Sequence, residues 1–227
     1  MTISPISDWV MIEPARAAAI TAGGIFIPDA ARGKQCFGKV LAVGPGKLLP
    51  DGVRSGMVCR VGDTVRFLKH AERKAEADER EYSFVREGEL MTVNGMPIGG
   101  TCIIIKAPDE GKVGSIFIPQ AAQRYKRQGW VVATGGGTTL EDGTVVPLPF
   151  KPGDYLIAER HFVRPDESED EISQDPVTVL VRDDEPVGFI AREDCGGPYE
   201  LSEEHATYIE QYGHTGAQET AVGRRIP

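Results

Sequence analysis

The chain has 227 residues, 41% of them hydrophobic and 26% charged, proportions that are typical of a soluble globular protein. The formal net charge of −9 argues against a nucleic-acid partner, because phosphates would repel the chain and no basic stripe compensates. No stretch approaches the ~18 apolar residues of a membrane span, and the N-terminus lacks the basic start and apolar segment of a secretory signal.

The predicted elements of the first half are short strands separated by Gly and Pro turns. These strands are residues 8–13, 38–43, 64–67, 82–85 and 89–93. Residues 47–57 have the pattern of a β-hairpin with Asp51-Gly52 at its tip. The densely charged residues 69–81 lack an apolar face, so we interpret them as a solvated crossing loop. We expect the last two strands to form a hairpin around residues 86–88, followed by a turn-like link at residues 94–97.

The second half repeats the same order of elements. Its predicted strands are residues 102–106, 130–134, 155–158, 177–181 and 187–191. Residues 136–148 predict a hairpin, and the acidic residues 166–171 are the counterpart of the charged crossing loop. After these strands, residues 201–212 can form a short helix that begins at the N-cap Ser202 and ends at Gly213. The rest of the tail is polar, and we expect it to be flexible unless it docks on something.

Period-two alternation within the strands predicts which side chains form the cores. The first core is expected to contain Val10, Ile12, Val40, Ala42, Val65 and Phe67, and the second Ile104, Val131, Ala133 and Leu156. Many short strands with Gly and Pro turns indicate a barrel or a sandwich.

The four cysteines are scattered along the chain at Cys36, Cys59, Cys102 and Cys195. No two of them form a C-x-x-C pair, so the sequence predicts neither a zinc site nor any other cofactor. We expect free, buried thiols in a reducing compartment and therefore a cytoplasmic location.

One apolar tripeptide occurs twice. Residues 23–28 read Gly-Gly-Ile-Phe-Ile-Pro, and residues 114–119 read Gly-Ser-Ile-Phe-Ile-Pro. An isolated apolar triplet is most simply a buried edge strand. Its recurrence after glycine favours a flexible loop that carries a sticky tripeptide to a partner's groove.

The two tripeptides belong to a longer internal repeat with a constant offset. The shift that relates Gly23 to Gly114 also relates Gly38 to Gly129, and Gly62-Asp63 to Gly153-Asp154. We therefore predict two tandem modules, residues 1–96 and 97–194, followed by a C-terminal tail, residues 195–227.

Each module resembles the GroES (chaperonin-10) co-chaperonin family. The resemblance rests on the start strand 5–10, the loop 21–27, the strand 38–44, the Asp51-Gly52 hairpin and the turn 61–65. It covers roughly residues 3–93 and 101–191, and the whole chain looks like a double co-chaperonin. The resemblance implies an all-β fold of two tandem, partly open GroES-like barrels with long loops.

The family implies a non-enzymatic cap. In it, a seven-fold homo-oligomeric ring docks its loops, as β-hairpins, on a GroEL-type chaperonin, while the hairpin matched here by residues 44–57 forms the roof. The partner-binding residues would be Gly23, Gly24, Ile25, Phe26 and Ile27 in the first loop, and Gly114, Ile116, Phe117 and Ile118 in the second. Because Ser115 stands where the first loop has a second glycine, we expect the first module to dock.

Two other classes of function were weighed. An enzyme is disfavoured because no G-x-G-x-x-G follows a strand and no Cys/His ligand set is present. His70 and His161 share the repeat offset, but no second titratable group repeats beside them, so we expect no catalytic and no metal-binding residues. The remaining alternative is a bacteriophage virion protein, which would bind a capsid protein and use a duplicated GroES-like fold as structure.

Overall fold

The computed structural model describes residues 3–15, 36–68, 70–77, 80–108, 112–113, 116–117, 125–158, 162–163, 171–174, 177–182, 186–196 and 200–213. The chain divides into two compact units, and the boundary in the sequence falls between Gly95 and Met96. Strands dominate both units, so the predicted all-β fold of two tandem modules is confirmed. Within the described part of the chain, no helix is long and apolar enough to cross a membrane.

The first unit is built around one antiparallel sheet. Its strands are β1 (Trp9–Pro14), β2 (Phe37–Val43), β3 (Thr64–Phe67), β4 (Arg73–Ala77), β5 (Arg80–Arg86) and β6 (Leu90–Val93). They follow the order β4-β5-β1-β2-β3-β6. The two-residue strand β7 (Met96–Pro97) follows in the sequence and belongs to the second unit. The predicted hairpin at Asp51-Gly52 is confirmed, since Leu48 and Arg54 form a bridge across it and Gly52 has a φ of +83°.

The charged segment 69–81 is not the solvated crossing loop that we predicted. Most of it forms strand β4 and the start of β5, which pair with each other as an antiparallel hairpin. Strand β4 lies at the end of the sheet, and the side chains of residues 73–76 are exposed. An edge strand needs no apolar face, and its charges discourage pairing with other molecules, so a charged run is compatible with a strand there.

The hairpin predicted around residues 86–88 is also wrong. Strand β5 pairs with β1 and β4, whereas β6 pairs with β3 on the other side of the sheet. A short 3₁₀ helix, Glu87–Glu89, connects the two strands. The alternating pattern identified both strands correctly but carries no information about their partners.

The second unit repeats this sheet with longer central strands. Its strands are β8 (Thr101–Pro108), β9 (Lys112–Val113), β10 (Ile116–Phe117), β11 (Tyr125–Thr134), β12 (Thr138–Thr139), β13 (Val145–Val146), β14 (Tyr155–Ala158), β15 (Phe162–Val163), β16 (Glu171–Gln174), β17 (Val177–Arg182) and β18 (Pro186–Ile190). The main sheet has the order β16-β17-β8-β11-β14-β18, with β15 also paired to β11. The predicted hairpin 136–148 is confirmed by the pairing of β12 with β13. Residues 166–170 of the acidic run lie outside the described residues, and Glu171 begins β16.

Equivalent hydrogen bonds recur in both units. Val40 N–H donates to the Asp63 carbonyl (2.8 Å), and Gly62 N–H donates to the Val40 carbonyl (2.9 Å). Val131 N–H donates in the same way to the Asp154 carbonyl (2.8 Å), and Gly153 N–H donates to the Val131 carbonyl (2.8 Å). The sequence repeat is therefore a structural duplication down to individual backbone bonds.

The chain enters both modules through the same unusual turn. Ser7 and Gly99 have left-handed φ angles of 52° and 56°. The Ser7 carbonyl accepts from Gly46 N–H (3.0 Å), and the Gly99 carbonyl accepts from Gly137 N–H (3.0 Å). The first strands of the modules are thus related by 92 residues, one more than the later elements.

The predicted cores are confirmed with one exception. Val10, Ile12, Val40, Val65 and Phe67 are buried in the first unit, and Ile104, Val131, Ala133 and Leu156 in the second. Ala42, by contrast, is only half-buried. A β-bulge between Met11 and Ile12, opposite this part of β2, displaces the regular alternation there.

The predicted tail helix is present as α1 (Glu203–Tyr212). The Ser202 hydroxyl accepts from His205 N–H (3.2 Å), and Gly213 N–H donates to the Ile209 carbonyl (2.6 Å), so both predicted ends are confirmed. The helix packs on strand β11 through Ile209, which is buried. The boundary that we placed between residues 194 and 195 stays a prediction.

Candidate functional site

The first candidate loop starts and ends on two paired strands. Strand β1 leads into it and β2 leaves it, with Pro14 opposite Gly38 in the ladder. Ala15 N–H also donates to the Phe37 carbonyl (2.9 Å), which draws the two ends of the loop together. The predicted docking residues Gly23, Gly24, Ile25, Phe26 and Ile27 lie outside the described residues.

The second candidate loop contains a small hairpin. Strands β9 and β10 pair in antiparallel fashion, with Ile116 opposite Val113 and Phe117 opposite Lys112. The side chains of Ile116 and Phe117 are each 69% exposed. The other two predicted residues, Gly114 and Ile118, lie outside the described residues.

The exposed pair on β10 has an unusual arrangement for a surface strand. Neighbouring side chains of a strand point to opposite faces, so Ile116 and Phe117 present apolar surface on both sides of the hairpin. Burying either side chain in a partner would contribute roughly 1.5–3 kcal/mol. The described residues Ile116 and Phe117 therefore offer apolar surface that is suited to packing in an apolar groove.

The returning strand at the base of the second loop is paired on two sides at its start. Strand β11 begins at Tyr125, which lies opposite Pro108 of β8 on one side and Val163 of β15 on the other. The prediction from sequence missed both β15 and the docking of α1 close to this base. A signal was present, since residues 130–133 are an unbroken apolar run, which is typical of a strand buried on both faces.

The titratable groups form no second site in the described residues. No group of three or more His, Cys, Asp or Glu side chains there is placed to hold a metal ion. His70 is exposed and only its backbone carbonyl is engaged, by the Arg73 guanidinium (2.6 Å), while His161 lies outside the described residues. The repeated histidine offset thus gains no structural support as a site.

None of the four cysteines, all of which are described, forms a disulfide. Cys59 and Cys102 are buried as expected, whereas Cys36 and Cys195 are half-buried. Burial raises the pKa of the Cys59 thiol to about 12, and the nearby carboxylates of Glu87 and Asp63 add to this shift. A thiol with so high a pKa carries almost no thiolate at neutral pH, so Cys59 is an inert core residue.

Comparison with known proteins gives the family. The family model described as Chaperonin 10 Kd subunit matches residues 2–94 and again residues 96–164. These two matches cover most of the chain. The first spans strands β1 to β6, and the second starts at the second unit and ends before strands β16, β17 and β18. The chain therefore belongs to the chaperonin 10 kDa subunit family and contains two tandem GroES modules.

Each individual relative aligns with a stretch of this chain that is about as long as one module. The co-chaperonin GroES 1 of Rhodopirellula baltica is 39% identical over 95 residues, which cover 42% of this chain and 94% of the relative. The co-chaperonin GroES of Coprothermobacter proteolyticus is 41% identical over 95 residues, covering 42% and 97%. The co-chaperonin GroES of Nitratidesulfovibrio vulgaris is 38% identical over 93 residues, covering 41% and 98%.

Proposed function

We propose that this chain is a co-chaperonin without catalytic activity of its own, which caps a GroEL-type chaperonin and assists ATP-dependent protein folding in the cytoplasm. The observation that carries the proposal is the exposure of Ile116 and Phe117 on a hairpin in the second loop. The same Ile-Phe-Ile sequence recurs in the first loop at residues 25–27. Family membership supports the same role.

The energetics suit a cap that must be released. Burying an Ile-Phe-Ile tripeptide contributes roughly 1.5–3 kcal/mol per side chain. Ordering the backbone of a loop costs about 1–2 kcal/mol per residue, so a single loop binds weakly. Several loops acting together in a homo-oligomeric ring bind firmly, yet each contact can still dissociate.

The two modules contribute unequally in this proposal. Whole two-module chains cannot fill an odd number of positions if every module occupies one. If the partner is seven-fold, the simplest solution is seven chains that each present one loop. We assign docking to the first module, because Gly23-Gly24 preserves a hinge that Ser115 stiffens in the second loop.

The test is capture by a chaperonin. Purified chain would be mixed with a GroEL-type chaperonin, with and without ATP, and the complex isolated by size exclusion. We expect nucleotide-dependent co-elution, which a chain carrying both Phe26→Ala and Phe117→Ala loses. Failure of the unmodified chain to bind with ATP, together with its stable presence in a virion, would overturn the proposal in favour of the structural alternative.

A further inference from the structure

The central strands of the two modules differ in how they are buried. In β2 only alternate residues are covered, since Val40 is buried while Lys39 and Leu41 are exposed. In β11 the consecutive residues Trp130, Val131 and Val132 are exposed by only 6%, 0% and 3%. Both faces of β11 are therefore covered, the second by a layer that has no counterpart among the described residues of the first module.

Helix α1 supplies this layer. Ile209 lies in one apolar cluster with residues of β8, β11 and β14, namely Ile105, Ala107, Trp130, Val132, Ala133 and Tyr155. The Trp130 ring packs edge-on against Tyr155, with 5.2 Å between centroids, and lies 5.6 Å from the His205 ring. The helix thus rests on the outer face of the second sheet through specific side-chain contacts.

The residues under α1 belong to the strands that hold the second loop. Ile105 and Ala107 are near the end of β8, just before the loop begins, and Trp130 lies on β11, which follows the loop. The helix therefore contacts both β8, which leads into the loop, and β11, which follows it. A contact that spans both strands resists their separation at the loop base.

The equivalent positions of the first module do not form an apolar surface on which a helix could pack. Strand β1 carries Glu13 where β8 carries Ile105, and β2 carries Lys39 where β11 carries Trp130. Thr64 of β3 corresponds to Tyr155 of β14. All three residues of the first module are polar and exposed, so an apolar helix face would not dock on them.

We propose that α1 is a clamp specific to the second module, which fixes the base of the loop carrying Ile116 and Phe117. The proposal rests on the proposed function, in which this loop carries the second copy of the Ile-Phe-Ile tripeptide, and it adds a positioning element to that copy. In this view the second loop projects from a braced support, whereas the described residues of the first module form no such brace. The residues of α1 do not contact the partner and act through β8 and β11.

The first test undocks the helix with one substitution. Ile209→Asp places a carboxylate in the buried cluster, and Thr207→Asp places the same charge on the exposed face of the same helix. Amide hydrogen exchange of the full chain reports on α1, on β8 and β11, and on residues 112–117. We expect Ile209→Asp to accelerate exchange in α1 and at residues 112–117 by at least about tenfold, and Thr207→Asp to leave both unchanged.

A second variant separates clamping from folding. Trp130→Lys and Tyr155→Thr give the second sheet the polar residues of the first module, and the chain is then ended after Glu200. This variant keeps a sheet face that tolerates water without the helix. The proposal predicts protected amides in β8 and β11 together with faster exchange at residues 112–117. Unchanged exchange at residues 112–117, in either variant with α1 undocked or removed, overturns the clamp.

A chaperonin-binding measurement separates failure of the clamp from failure of the proposed function on which it rests. The chaperonin is mixed with the unmodified chain, with Ile209→Asp and with Thr207→Asp, and we expect both variants to keep ATP-dependent binding because the first loop carries docking in the proposed function. If the unmodified chain binds no chaperonin, the proposed function fails while the exchange data still decide the clamp. If both variants bind in an ATP-dependent manner and exchange at residues 112–117 is unchanged in Ile209→Asp, the clamp is wrong while the function stands.

Discussion

A β-carbon at Gly129 would overlap the carbonyl oxygen of Ile105 on the paired strand β8. Both groups belong to the backbone, so no side-chain rotation relieves the overlap. We expect Gly129→Ala to lower the free energy of unfolding by more than about 1 kcal/mol. A β-carbon added at Gly188 of strand β18 would have no atom within 4 Å, so Gly188→Ala is the matched control. Urea denaturation of both variants checks the prediction, and equal stabilities would contradict it.

Glu87 gives the first module a specific pH dependence. Burial is the main reason that the pKa of its carboxyl lies above 4.5, and the Asp8 carboxylate adds to the shift. The folded state therefore binds more protons than the unfolded state between 4.5 and this raised pKa, so the contribution of Glu87 to stability falls as pH rises through that window. The hydrogen bond that Val58 N–H donates to Glu87 persists with a neutral amide acceptor.

Glu87→Gln should remove this dependence. We expect the variant to gain stability relative to the parent at pH 7 and to lose that advantage as the pH approaches 4. Urea denaturation at pH 4, 5, 6 and 7 measures the difference, with Glu76→Gln on the exposed strand β4 as the control. An advantage that grows toward acid pH would contradict the assignment.

At the scale of elements, equivalent turns precede strand β3 in the first module and strand β14 in the second. Each turn contains an aspartate, Asp63 or Asp154, so the two can be compared. The Asp154 carboxylate accepts from Lys151 N–H and Arg192 N–H, both at 2.9 Å, and the residue is only 2% exposed. Asp63 accepts from Arg60 N–H (2.7 Å) and from the Asn94 amide (2.9 Å) but is half-buried.

Removing the carboxylate should therefore cost more in the second module. Asp154→Ala leaves two donors without a partner in a buried site, and we expect a loss of about 1–3 kcal/mol for each. Asp63→Ala should cost less, because water can replace the lost acceptor. Chemical denaturation of the two variants, with the exposed Asp194→Ala as control, tests the order. An equal or smaller loss for Asp154→Ala would refute it.

The elements also show what the sequence determines locally. Apolar residues and turn glycines predicted β1, β2, β3, β8 and β14 because each has at least one buried apolar face. Four of them, β1, β3, β8 and β14, begin two residues after a residue with a left-handed φ angle, namely Ser7, Gly62, Gly99 and Gly153. The charged β4 escaped prediction because an exposed edge strand has no such face. The pairing of β5 with β1, and of β6 with β3, depends on the path of the whole chain, which no short window contains.

The candidate site likewise combines features that the local sequence encodes with features that depend on the whole chain. The Ile-Phe-Ile repeat marked the second loop from sequence alone, since an apolar triplet between glycine and proline is conspicuous in any chain. The support beneath that loop was not predicted. Helix α1 was predicted as a helix from its N-cap. Its packing on Trp130 was not predicted, because it depends on which face of a strand far away in the sequence would otherwise be exposed.

On the scale of the whole molecule, the duplication produces two modules with one scaffold and unequal surroundings. The first has Gly23-Gly24 before its tripeptide and exposed polar residues on one sheet face, and the second has Gly114-Ser115 and a face covered by α1. In the proposed function, such inequality lets one chain offer one docking loop to each position of a ring. The link between modules is short and turn-like, with Asn94 and Gly95 at φ angles of 51° and 83°.

The central claim is that the Ile-Phe-Ile loops cap a chaperonin, and inhibition of the chaperonin's ATPase by Phe26→Ala, Phe117→Ala and the double variant tests it most directly. Removing one buried Phe costs roughly 3–5 kcal/mol by analogy with protein cores, and the loss multiplies across a ring. We predict that Phe26→Ala abolishes inhibition and that Phe117→Ala weakens it little. Equal loss from both single variants would contradict docking by the first module alone. Full inhibition by the double variant would contradict the co-chaperonin account itself.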